Sequence, residues 1–210
     1  MNYNYIAIEG NIGAGKTSLA TKMAVQFNGK LILERFEENE FLPKFYKDPS
    51  KYAFPLELSF LAARYQQLKE DLPEQDLFKT FTISDYLFDK SVIFARKTLP
   101  DDEFALFVKL FRIIKASLPK PDLIVYLYSP ITKLLQNIQK RGRIYEQSIE
   151  EHYLSMIQKS YIDYFKQLPD LKILVFKTDN LDFVNKQKDY SKLIDQITED
   201  YSIGIHMVDV

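Results

Sequence analysis

The apolar residues of this chain fall into two kinds of pattern. Tyr5-Ile6-Ala7-Ile8 and Leu123-Ile124-Val125-Tyr126-Leu127-Tyr128 are short continuous runs, as expected of strands buried on both faces of a parallel sheet. Residues 30–34, 80–84 and 172–176 have the same character, and the last of these is read as the final strand. Between the runs, apolar positions recur at helical spacing. Phe54, Leu58, Leu61, Ala62, Tyr65 and Leu68 mark a helix over 54–72, introduced by the break and cap Asp48-Pro49-Ser50 and followed by a polar turn at 71–76. Further helices are predicted over 39–46, 89–98, 101–118, 131–141, 149–168 and 183–201; that over 101–118 opens on acids at its positive end. Strand and helix alternate throughout. The chain is therefore expected to be one α/β domain over 1–210, in three layers, with a five-stranded parallel sheet and helices on both faces.

The first strand runs into Gly10-Asn11-Ile12-Gly13-Ala14-Gly15-Lys16-Thr17, and Ser18 onward reads as helix. This is G-x-x-x-x-G-K-[ST] in its required strand-to-helix setting. Glycines let several main-chain N–H groups approach one anion, and the helix start adds its own unpaired donors. Gly10 to Ser18 are thus candidate nucleotide-phosphate contacts. Lys16 adds a point charge for the β- and γ-phosphates, and the Thr17 hydroxyl is the expected ligand of Mg²⁺ in an ATP complex.

In open α/β sheets, ligands collect at the carboxyl ends of the strands. Glu34 closes the second run and Asp85 the third. Either acid alone is better explained as a helix cap or a solvated residue. Together, in a chain with a phosphate loop, they are candidates to accept a hydroxyl proton and to hold a metal. Lys140-Arg141-Gly142-Arg143 sits between two helices, and its guanidinium forks match the charge of a transferring phosphoryl group, so the segment reads as an arginine-rich lid.

Composition narrows the partners. A net charge of -1 argues against a nucleic-acid backbone binder. The absence of Cys excludes disulfides and thiolate metal sites. No secretory signal or ~18-residue apolar span is visible, so a soluble, cytoplasmic protein acting on small molecules is expected. With 14 Tyr and 16 Phe, most aromatics must be core, and only position can mark one as functional.

These residues make the chain resemble the deoxynucleoside kinase family, over about residues 4–183. The resemblance implies a P-loop kinase fold and ATP- and Mg²⁺-dependent phosphorylation of the 5′-hydroxyl of a deoxyribonucleoside, in nucleotide salvage. It implies Glu34 as the base, Lys16, Arg141 and Arg143 on the transferred phosphate, and Thr17 and Asp85 at the metal. Tyr46 and Glu146 fall where the family contacts the sugar 3′-hydroxyl. Glu57 and Arg64 fall on the base-addressing pair, with Phe94 near the base, and Asp179 on the acid of the adenine loop. A homodimer packed through helices at about 89–118 is implied as well.

Three positions depart from the family pattern. Tyr86 replaces the arginine of its Asp-Arg-Ser motif, a loss expected either to lower turnover or to leave the role to Arg96, Arg64 or a lid residue. Glu57 replaces a glutamine, and an ionised carboxylate only accepts where an amide both donates and accepts. Arg35 stands where many relatives have proline. Two other readings stay open: a nucleoside monophosphate kinase similar to thymidylate kinase, and a catalytically weak regulatory homologue, for which Tyr86 is the motive.

Overall fold

In the computed structural model, which describes residues 1–35, 39–72 and 78–209, the strands are β1 (Tyr5–Gly10), β2 (Lys30–Ile32), β3 (Thr82–Ser84), β4 (Leu123–Tyr128), β5 (Lys172–Lys177) and β6 (Gly204–Asp209). All pair in parallel, in the order β2-β3-β1-β4-β5-β6. The helices are α1 (Lys16–Gln26), α2 (Leu42–Lys47), α3 (Pro49–Asp71), α4 (Lys90–Thr98), α5 (Asp101–Lys115), α6 (Ile131–Arg141), α7 (Glu151–Phe165) and α8 (Gln187–Ile197). No helix among the described residues is long and apolar enough to cross a membrane.

The expected five-stranded sheet has six strands. β6 was missed because it is an edge strand: Ile205 and Met207 point outward, and His206 and Asp209 interrupt the apolar run that marked the other strands. Accordingly α8 stops at Ile197, short of the expected 201. The other elements lie within a few residues of expectation, although most of the turn at 71–76 falls outside the described residues.

The chain forms two compact units: Met1–Leu33, Asp76–Leu87 and Lys120–Val210 make the first, Glu34–Gln75 and Phe88–Pro119 the second. The first holds the sheet. Ile6 and Ile8 of β1, Val125 and Leu127 of β4, and Leu174 and Phe176 of β5 pack with Leu19 and Met23 of α1, Leu134 and Ile138 of α6, and Leu193 and Ile197 of α8. On the opposite face of β4, Tyr126 meets the rings of Tyr161 and Phe165 on α7 at 5.1 and 5.2 Å. Glu9 is fully buried on that same face, and a buried carboxylate needs donors. It takes them from the Tyr161 hydroxyl at 2.9 Å, the Leu87 N–H at 2.9 Å and the Gly10 N–H at 3.2 Å, tying β1 and the segment after β3 to α7.

The second unit is helical. Asp48 caps α3 as expected, its carboxylate accepting from the Lys51 N–H at 3.3 Å. Phe88 stacks on Phe111 of α5 at 5.2 Å, and Lys115 of α5 pairs with the buried Asp89 at the start of α4. Leu56, Leu61 and Leu68 give α3 its apolar stripe, and Glu57, Arg64 and Gln67 are buried beside it.

Candidate active site

β1 ends at Gly10 and α1 begins at Lys16, so the glycine-rich segment is the turn between them. Gly13 and Gly15 have φ of +81° and +90°, the left-handed region. There is also no room for a side chain: a Cβ on Gly13 would lie 2.8 Å from the Leu134 carbonyl oxygen, and one on Gly15 2.8 Å from the Phe183 ring. Lys16 curls over the loop, its Nζ donating to the carbonyls of Gly10 at 2.9 Å and Asn11 at 3.1 Å. Asn11 has a holding role. Its Nδ2 donates to the Leu154 carbonyl of α7 at 2.7 Å, while its Oδ1 accepts from the Ile12 N–H at 2.9 Å.

The loop borders a cleft of about 450 Å³ that also includes Lys133, Asn137, Lys140, Arg141, Arg143 and Asp182. Its charged lining is thus mostly cationic, as a polyphosphate requires. Asn137 donates to the Gly13 carbonyl at 2.8 Å. Lys133 donates to the carbonyls of Thr178 and Leu181, and burial lowers its pKa from the ordinary lysine value. Asp179, expected in the adenine loop, is exposed and does not line this cleft; Asp182, three residues on, does.

Asp85 follows β3, the neighbour of β1, and its carboxylate accepts from the Thr17 hydroxyl at 2.5 Å. The two predicted metal ligands are therefore in contact. Both present oxygen, the donor that Mg²⁺ takes, and few protein ligands suffice where phosphates supply the rest. No group of three or more Asp, Glu, His or Cys side chains placed to hold a metal ion occurs among the described residues, so a cage made wholly of protein is not built there.

The lid is formed by the end of α6 and the turn after it. Gly142 ends the helix with φ of +76°, and a 3-10 turn over Ile144–Glu146 follows. Arg141 and Arg143 both reach Glu146, Arg141 through its Nε at 3.1 Å and its terminal nitrogen, Arg143 at 3.4 Å. Glu146 is buried, and it brings together two cations assigned to phosphate.

The remaining predicted residues lie in the second unit. Glu34 receives two hydrogen bonds from Arg64, from Nε at 2.8 Å and a terminal nitrogen at 2.7 Å, and one from Lys90 Nζ at 2.5 Å. Burial would raise its pKa, but the two cations outweigh it and hold the carboxyl at about 2. Arg64 also donates to the Ser91 hydroxyl at 2.8 Å and stacks on Phe60, 4.8 Å from the ring centre. Glu57 lies two helical turns before Arg64. It accepts from the Thr98 hydroxyl at 2.8 Å, and its burial pushes the pKa up to about 7. Phe94 is half-buried, with Lys90 Nζ 5.6 Å from its ring centre, and Tyr46 packs edge-on against Phe45 at 5.6 Å.

Sequence reasoning passed over Lys90. Its signal was a cation on the first residue of α4, the positive end of the helix dipole, where lysine is unfavourable without an anion beside it. Of the residues expected to take over from the missing arginine, Arg96 pairs with Asp101 in solvent, whereas Arg64 is at Glu34. Tyr86 itself is fully buried, and its carbonyl accepts from the Ser84 hydroxyl at 2.7 Å.

A parallel α/β sheet with a phosphate loop, a hydroxyl–carboxylate pair at its rim and an arginine lid defines a nucleotide-dependent phosphotransferase. Residues 6–201 match the Deoxynucleoside kinase family. The sequence is 39% identical over 200 residues to a deoxyguanosine kinase of Bacillus subtilis strain 168, covering 93% of this chain and 96% of that protein. It is 31% identical over 206 residues to a deoxyadenosine kinase of Lactobacillus acidophilus, covering 91% and 94%. The fold matches a deoxyadenosine kinase from M. mycoides, solved with bound dCTP, with a TM-score of 0.77 at 24% identity over 92% of this chain and 98% of that one. The chain belongs to the deoxynucleoside kinase family and is a kinase.

Proposed function

We propose that the protein transfers the γ-phosphoryl group of ATP to the 5′-hydroxyl of a purine deoxyribonucleoside, as a cytoplasmic salvage enzyme in which residues 1–210 act as one domain. The observation that carries this reading is the contact of Thr17 with Asp85 beside a phosphate loop, in a chain whose family match runs through both units. The purine follows the names of the relatives, deoxyguanosine and deoxyadenosine kinases.

In this reading the loop N–H groups and Lys16 hold the triphosphate, with Asn11 and Asn137 fixing the loop's shape. Thr17 and Asp85 would hold Mg²⁺, which would supply charge neutralisation to the triphosphate. Arg141 and Arg143 exchange Glu146 for the equatorial phosphoryl oxygens, which frees Glu146 to accept from the sugar 3′-hydroxyl; Tyr46 is assigned to the sugar as well. Glu34 accepts a hydrogen bond from the 5′-hydroxyl and then its proton. A carboxylate held near pKa 2 is a weak base, but a largely dissociative transition state asks little basicity of it early on, so orientation is its larger contribution. Glu57 and Arg64 address the base, with Phe94 alongside. On α5, Leu106 and Ile113 remain 50% and 73% exposed, which supports a homodimer packed through that helix.

The test supplies purified protein with ATP, Mg²⁺ and, side by side, deoxyribonucleosides and their 5′-monophosphates. Formation of 5′-monophosphate with equimolar ADP is expected. Preferential turnover of the monophosphates would mean a monophosphate kinase, and nucleoside binding without ADP release a regulatory homologue.

A further inference from the structure

Among the titratable groups of the second unit, Glu57 is set apart by its surroundings. It is 3% exposed, yet no cation salt-bridges it among the described residues. The nearby charges are Arg64 on its own helix and Lys90 on α4, and both are engaged by Glu34. From α4, Thr98 holds Oε1 at 2.8 Å, while Oε2 accepts no hydrogen bond from the described residues. One carboxyl oxygen is thus anchored and the other is left for a ligand, at a depth where its protonation state decides what it can bind.

We infer that Glu57 makes the choice between purines depend on its own proton: ionised, it takes guanine, and protonated, it takes adenine. This rests on the deoxyribonucleoside kinase reading above. Guanine presents N1–H and an amino group, both donors, to which a carboxylate can only be complementary. Adenine presents a bare N1 beside its amino group. Against an ionised carboxylate, N1 meets a second acceptor, and a buried unmatched polar pair is costly. A protonated Glu57 donates from Oε2 to N1 and accepts the amino hydrogen, so adenine is matched. Burial places the titration at about 7, so both forms are populated near neutrality.

The consequence does not depend on where the titration falls. If deoxyadenosine reacts only with the protonated enzyme and deoxyguanosine only with the ionised one, the ratio of their kcat/KM values follows the ratio of the two forms. It therefore rises about tenfold per pH unit. The experiment measures kcat/KM for both nucleosides from pH 6 to 8 on wild-type protein and on Glu57→Gln, whose amide cannot titrate. The expected result is a rise of about 100-fold in the deoxyguanosine preference across that range for wild type, and a flat ratio for the variant. A flat wild-type ratio with good turnover of either nucleoside overturns the inference and leaves the kinase reading standing. So does a variant that keeps the slope. Absence of turnover for every nucleoside at every pH overturns both. Should Glu57→Gln fail to fold, the wild-type ratio alone decides.

Discussion

Replacing Glu34 by Gln keeps the side-chain shape and removes the charge that two cations share. In the wild type, Arg64 and Lys90 are only 5% and 12% exposed and converge on this one carboxylate. An amide leaves both with a single neutral acceptor. Lowering the carboxyl from 4.5 to about 2 corresponds to about 3 kcal/mol of stabilisation of the ionised form. Removing one partner of a buried ion pair costs a similar ~3–5 kcal/mol. Natural domains hold roughly 5–15 kcal/mol, so the variant should fold with reduced stability. Loss of a general base should lower kcat by about 10²–10⁴-fold, or about 3–5 kcal/mol of barrier. Two assays separate the effects: kcat at saturating nucleoside and ATP with ADP release coupled to a dye, and urea unfolding of the same preparation. The unfolding comparison is repeated at several pH values. Because the folded-state pKa is depressed, the stability Glu34 contributes is fully present above the unfolded value of 4.5 and is lost as pH falls toward 2. The stability gap between wild type and variant should therefore be constant from pH 8 to about 5 and close below that. A variant within tenfold of wild-type kcat refutes the catalytic role, and a gap as large at pH 3 as at pH 7 refutes the ion-pair account.

Lys90→Met should let the Glu34 carboxyl rise, because burial then opposes only Arg64. The acid limb of the kcat/KM profile should move up by about one to two pH units, and an unchanged limb would deny Lys90 this influence. Asp85→Asn should raise the Mg²⁺ concentration for half-maximal rate by about 10–100-fold while preserving the melting temperature; titration with Mg²⁺ at fixed ATP measures it. Glu57→Gln should be stabilising at alkaline pH. The folded-state pKa is raised, so the folded wild type retains a proton that the unfolded chain has lost, and wild-type stability falls as pH climbs from about 4.5 through about 7. The variant should gain up to about 3 kcal/mol on wild type between pH 5 and pH 8 in denaturant titrations, and equal pH dependence of the two proteins would contradict the burial of an ionisable group.

Much of the fold was legible because buried parallel strands announce themselves as continuous apolar runs. β1, β4 and β5 do so, with interiors that are almost entirely inaccessible. β6 escaped the same reading because only one of its faces is covered, which leaves alternation broken by His206 and Asp209 in place of a run. The phosphate loop was legible for a different reason: its geometry admits few residue types, and Gly13 and Gly15 have neither the backbone region nor the space for any other. Contacts between distant segments were beyond sequence reading. Nothing in the pattern around Glu146 says that it gathers Arg141 and Arg143, and nothing near Lys90 names Glu34, 56 residues earlier in the chain. Asp182 borders the cleft in the segment after β5, where Lys133 donates to the carbonyls of Thr178 and Leu181.

Glu34 and Glu57 lie in the same helical unit, Glu57 buried and Glu34 largely so, yet their protons are bound very differently. Desolvation pushes both upward, and the difference lies in who answers it. Glu34 is met by two cations within hydrogen-bond reach, whereas Glu57 is met by a hydroxyl and only the more distant field of the same cations. One acid is thereby kept ionised at any physiological pH, as the role proposed for it, accepting from an alcohol, requires. The other is left able to donate or accept. Carboxylates whose environments drive their titrations apart are the usual physical basis for dividing roles within one site. Lys90 gives Glu34 a second cation from a different element, and Tyr86, fully buried, adds no charge that would need an answer of its own.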